Sequence, residues 1–114
     1  DLHLSLRRQR QMCIRDSLAG VCLGAAEAGS PLILDGLATS VAALIATKFS
    51  PGLHGWLVAS QASREQVHHI VLAELGLEAL MELRMRAGEG VGACFGAQMI
   101  LTGLQVRRTA ARTC

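Results

Sequence analysis

The sequence predicts an α/β fold, a partial parallel sheet with flanking helices, on three observations. Two short runs, Leu32-Ile33-Leu34 and Trp56-Leu57-Val58-Ala59, are apolar at every position and close on polar residues, the pattern of parallel strands covered on both faces. Around and between them, Leu, Ile, Val and Ala recur at helical spacing. The resulting order of helix, strand, helix, strand, helix is that of layered α/β units, whose ligands gather at the carboxyl ends of strands. Asp35-Gly36 and Ser60 stand at those two ends.

Each element follows in turn. Leu18, Val21, Cys22 and Ala25 mark one side of a first helix, while Gly20, Gly24 and Ala28 form a small-residue stripe suited to close packing. Gly29-Ser30-Pro31 ends that helix before the first strand. Leu37 to Phe49 reads as the next helix and stops before Pro51-Gly52. After the second strand, Ser63-Arg64-Glu65-Gln66 fits a capping box, Ser63 accepting from the first turn and Gln66 reaching back, with the helix running to Leu75 and closed by Gly76. Leu77 to Arg86 is again amphipathic, Leu77, Leu80, Met81 and Met85 opposing Glu78, Glu82 and Arg86, and predicts another helix. Ala93 to Leu104 reads as a last apolar helix, and no internal repeat is visible.

Composition bounds the function. The 114 residues make at most one small domain, and 51% apolar content with two prolines argues for a buried core. With 3% aromatic residues, that core is aliphatic and packed with small side chains. The formal charge of +2 is carried by the ends, since residues 18–106 set four basic side chains against seven acidic ones, a net −3. A mildly acidic body with almost no rings to stack bases excludes a nucleic-acid binder. Cys13, Cys22, Cys94 and Cys114 show neither zinc-ligand spacing nor a disulfide framework, so a reduced, cytoplasmic setting is the default. His68 and His69 point about 100° apart on a helix and do not converge on a metal, so they read as surface and half-buried helix residues. No apolar run approaches the ~20 residues needed to cross a bilayer, and nothing has the order of a signal peptide.

The composition changes abruptly at Leu18. Residues 1–17, with Arg7-Arg8-Gln9-Arg10-Gln11-Met12-Cys13-Ile14-Arg15-Asp16-Ser17, resemble a translated sequencing adapter and are expected to be non-native. The rival reading is a basic arm for an acidic partner.

Chemistry-bearing residues are few. The run Gly88-Glu89-Gly90-Val91-Gly92 sets one carboxylate among glycines, whose bare backbone lets a ligand approach, an arrangement that suits a general base. Asp35 with Gly36 follows the first strand, and Ser60 to Ser63 follow the second. Taken singly, Asp-Gly reads as a turn, Ser63 as an N-cap and Glu89 as a helix-dipole partner. Their combination at strand and helix ends is the functional signal.

These segments also resemble a known family. Leu18-Ala19-Gly20-Val21-Cys22-Leu23-Gly24-Ala25-Ala26, Pro31-Leu32-Ile33-Leu34-Asp35-Gly36, Ala42-Ala43-Leu44-Ile45, Leu75-Gly76-Leu77 and Arg86-Ala87-Gly88-Glu89-Gly90-Val91-Gly92-Ala93 are similar to the C-terminal part of nicotinate-nucleotide–dimethylbenzimidazole phosphoribosyltransferases. The resemblance covers about residues 18–104 and implies the C-terminal fragment of a larger Rossmann-like domain. Gln61 stands where family members often carry His, and residues 105–114 depart from the expected Leu- and Ala-rich final helix, as a divergent or artefactual tail.

The resemblance implies transfer of phosphoribose from nicotinate mononucleotide to 5,6-dimethylbenzimidazole, giving α-ribazole 5′-phosphate and nicotinate for the nucleotide loop of cobalamin. It implies Glu89 as the base that takes the azole N–H proton. Ser60 and Ser63 would lie beside the nucleotide, with Asp35, Gly36, Gly88 and Gly90 lining the substrate cleft. It implies no metal and no cofactor, two small-molecule substrates, a homodimer in the full-length enzyme, and an inactive fragment in isolation. The alternative from another class is a non-catalytic α/β interaction module or subunit fragment, with the glycine run only a hinge.

Overall fold

The computed structural model describes residues 2–85 and 89–113. Its elements are α1 (Leu2–Glu27), β1 (Leu32–Leu34), α2 (Leu37–Phe49), a 3₁₀ turn (Pro51–Trp56), β2 (Leu57–Ala59), α3 (Gln66–Leu75) and α4 (Val91–Thr113). β1 and β2 pair in parallel, Leu32 opposite Leu57 and Leu34 opposite Ala59, with α2 as their crossover. The fold is therefore α/β with a small parallel sheet. No described helix is long and apolar enough to cross a membrane.

The core forms where the helices meet the sheet. Leu34, Leu53, Leu57, Val71 and Leu75 pack with Ala42, Ala43 and Ala46, three alanines of α2 at zero exposure. Alanine on that face brings α1 and α3 close to α2, as low aromatic content requires. On α1 the buried positions are Ala19 and Cys22, with Leu18, Leu23 and Ala26 packed beside them. Val21, expected on the packed side, is 59% exposed. Among the described residues the stripe of Gly20 and Gly24 packs on nothing, since a Cβ there would meet no atom within 4 Å. α1 begins at Leu2 and runs unbroken across the Leu18 composition boundary, its described side chains before Leu18 all exposed.

Close packing occurs instead on α4. A Cβ on Gly96 would lie 2.7 Å from Ser60 Cβ and 3.3 Å from Ser60 Cα, and one on Gly92 would lie 2.6 Å from the Gln61 side chain. The glycines at i and i+4 share a face, so the helix seats directly on the carboxyl end of β2. From Leu101 to Ala110 every residue of α4 is exposed.

Two expectations fail for identifiable reasons. The segment from Leu77 to Met85 is not a helix. Gly76 adopts φ +66°, and the Leu77 amide turns back to the Leu72 carbonyl at 2.9 Å, the Schellman geometry that stops α3. The chain then comes against the end of β2 through an isolated bridge between Gln61 and Met81, Leu80 and Met81 donating their amides to the carbonyls of Ala59 and Ser60. Those edge carbonyls supply a partner that amphipathic spacing cannot reveal. The capping box at Ser63 and Gln66 is also absent, because the N-cap is Glu65, which makes no side-chain cap.

Ser63 is engaged by a histidine instead. His68 is 1% exposed, neither surface nor half-buried as expected. Its Nδ1 accepts the Ser63 amide at 3.0 Å and lies 3.0 Å from Ser63 Oγ, while Nε2 lies 3.0 Å from Ser40 Oγ. An Nδ1 that accepts a backbone N–H leaves the ring proton on Nε2, donating to Ser40. The neutral ring thus joins α2, α3 and the loop after β2.

Two consequences are measurable. Gly96→Ala should cost about 1–3 kcal/mol by urea titration, because the obstructing atoms belong to Ser60 near the backbone rather than to a flexible tip. Burial, with His69 adding to it against Glu65 and Asp35, lowers the His68 pKa from its ordinary 6.5. The unfolded chain then takes a proton at a pH where the folded chain does not, so stability is full above 6.5 and falls as pH drops toward the lower folded value. His68→Gln should flatten that fall below about pH 6.5.

Candidate functional site

The site is built from the carboxyl ends of the two strands. Leu34 O accepts both the Ser60 amide at 3.1 Å and the Ser60 hydroxyl, and Ser60 is fully buried. The hydroxyl expected to contact nucleotide is thus committed to bracing the strand ends.

Beyond Leu34 the chain turns under control of Thr39. Its Oγ1 accepts the amides of Asp35 at 2.9 Å and Gly36 at 3.1 Å, and its hydroxyl lies 3.0 Å from Gly36 O. This satisfies the start of α2 and fixes Asp35 as the strand ends. A Cβ on Gly36 would meet nothing within 4 Å among the described residues, so the backbone there is bare of them.

The Asp35 carboxylate, 8% exposed, reaches across to α4. Oδ2 accepts the Gly90 amide at 3.0 Å and Oδ1 accepts the Ala93 amide at 3.2 Å, from donors 55 and 58 residues away. Gly90 O in turn takes the Cys94 amide at 2.9 Å, the first turn of α4. Gly90 has φ +84°, a conformation that an L side chain would strain. Asp35 therefore caps α4 from another element, at the helix end where negative charge is favoured.

A cleft of about 360 Å³ opens beside this junction, lined by Asp35, Gly36, Gln61, Ser63 and Arg64 among others. Three of the expected site residues, Asp35, Gly36 and Ser63, are thereby brought together. Glu89 is exposed and joined by its peptide to the clamped Gly90. Gly88 lies outside the described residues. Gln61 is 4% exposed, and its Oε1 has no hydrogen-bond partner among the described residues. A buried acceptor without a partner is costly, and here it sits on a cleft wall. Among the described residues, no group of three His, Cys, Asp or Glu could hold a metal ion.

Sequence reasoning missed Thr39 and the buried role of His68. Thr39 was detectable as a side chain three residues after a bare N-cap. Nothing local marks His68, whose partners lie 28 residues back on α2 and five back in a loop. Chemically, the cleft offers polar groups for a hydroxylated ligand, with an accessible carboxylate on the adjoining loop.

Comparison with known proteins places this arrangement. A family model described as phosphoribosyltransferase matches residues 16–113. The nicotinate-nucleotide–dimethylbenzimidazole phosphoribosyltransferase of Mycobacterium tuberculosis is 46% identical over 85 residues, covering 75% of this chain and 23% of the relative. The enzyme of the same name from Desulforudis audaxviator is 40% identical over 91 residues, covering 80% of this chain and 26% of the relative. A crystal structure of the Thermus thermophilus enzyme superimposes with a TM-score of 0.72 at 41% identity, over 75% of this chain and 26% of that one. The chain thus spans about a quarter of the length of the relatives it matches. On these matches, the chain belongs to the dimethylbenzimidazole phosphoribosyltransferase family.

Proposed function

We propose that this chain supplies the catalytic base and one wall of the nucleotide cleft to an enzyme that moves phosphoribose from nicotinate mononucleotide to 5,6-dimethylbenzimidazole. The observation that carries the reading is the Asp35–Gly90 contact, which joins the Glu89 loop to the cleft bearing Gly36 and Ser63. The names of the relatives supply the substrate class.

In this reaction Glu89 takes the azole N–H proton, and the other ring nitrogen attacks C1′ of the ribose. The bond from C1′ to the pyridine nitrogen breaks, and nicotinate leaves with that electron pair, giving α-ribazole 5′-phosphate. A neutral azole is a poor nucleophile until its proton has an acceptor, so the base sets the rate. Negative charge beside C1′ also favours its oxocarbenium-like character. Gly36 and Gly90 let substrate approach the backbone, and Ser63 and the Gln61 amide bind its polar groups. Ser60 and Asp35 hold the cleft in shape. The working enzyme is a cytoplasmic homodimer, in which residues 18–104 form part of the transferase domain, with 1–17 outside it and 105–114 as its divergent end.

Residues 18–104 grafted into the Thermus thermophilus enzyme in place of its matching stretch should restore turnover, whereas the 114-residue chain alone should give none. In the graft, Glu89→Gln should lower turnover about 10²–10⁴-fold with nucleotide binding retained. Wild-type turnover by that variant removes Glu89 from this role. Sedimentation of the graft should give twice the protomer mass.

A further inference from the structure

We propose that Asp35 is a positioning residue for Glu89, acting through the amides of Gly90 and Ala93 rather than on substrate. The inference rests on the assignment of Glu89 as base. Both carboxylate oxygens of Asp35 are occupied, one by each amide, and the side chain is 8% exposed. Its own amide and that of Gly36 are fixed by Thr39. The clamp is therefore anchored at its base as well as at its tip.

A helix is ordinarily capped by the side chain of its own N-cap residue, and at α4 that residue is Gly90, which has none. Asp35 supplies the missing cap from the carboxyl end of β1. The Gly90 amide belongs to the peptide that carries the Glu89 carbonyl, so holding this N–H fixes the peptide plane next to the Glu89 Cα. A loop with glycine on both sides of the glutamate would otherwise sample many backbone states. The clamp converts a mobile carboxylate into one with a defined start, referred to the strand end that lines the cleft.

Asp35→Asn keeps one accepting oxygen and turns an NH₂ toward one of the two amides. In the 114-residue chain, hydrogen exchange at Gly90 and Ala93 should quicken about tenfold or more while the β1–β2 ladder keeps its protection. Unchanged exchange at both amides overturns the clamp. In the grafted enzyme, kcat should fall about 100-fold with KM for nicotinate mononucleotide held within about twofold. Added to Glu89→Gln, the change should cost less than about a further twofold, because Asp35 works through the group already lost. A raised KM with kcat intact makes Asp35 a substrate contact, and full additivity makes it independent of Glu89; either result overturns the proposal. If Glu89→Gln alone keeps full turnover, the functional reading fails, while amide exchange still judges the clamp.

Discussion

The architecture depends on how closely α4 approaches the end of β2. Gly96 lies so near Ser60 that no Cβ fits between them, and Gly92 leaves room for the Gln61 side chain. Only at that separation does the amino end of α4 come within hydrogen-bond reach of Asp35 at the end of β1. Ser60 is the pivot: its amide and hydroxyl fasten β2 to Leu34, and its carbonyl takes the Met81 amide from the segment beyond α3. The end of β1, the segment beyond α3 and the helix α4 thus converge on two consecutive polar residues, Ser60 and Gln61.

Much of this was legible locally. Both strands, α2, the end of α3 at Gly76 and the body of α4 follow from short-range patterning, because fully apolar runs and helical spacing reflect burial near the chain itself. The failures share one cause. Leu77–Met85 has the spacing of a helix, yet the open edge at Ala59 and Ser60 supplies backbone partners that hold it against the sheet instead. Ser63 has the chemistry of an N-cap, yet His68 claims it. The glycines of α1 looked like a packing stripe and remain open among the described residues, while those of α4 make the tight contact. In each case the deciding neighbour is brought by tertiary structure, and a one-dimensional pattern carries no record of it.

The candidate site divides the same way. Residue type alone was enough to single out Asp35, Gly36, Ser63 and Glu89, since polar groups among glycines at element ends are few in so apolar a chain. Their division of labour was not readable. Ser60 and Asp35 serve the frame, Gly36 and Ser63 line the cleft, and Glu89 stands exposed at the junction. Gln61 joins the wall with an acceptor left over.

The tautomer of His68 has a further consequence for the cleft. Because Nδ1 already receives the Ser63 amide, it can meet the Ser63 hydroxyl only as an acceptor, so that hydroxyl must spend its hydrogen inward. The oxygen keeps its lone pairs, one of them turned to the Glu65 amide at 3.4 Å. The unpartnered Gln61 carbonyl oxygen adds a second acceptor to a cleft that Arg64 also lines. The histidine buried beneath the loop therefore decides how one hydroxyl at the cleft wall is turned, leaving that oxygen to accept while Arg64 supplies the donors.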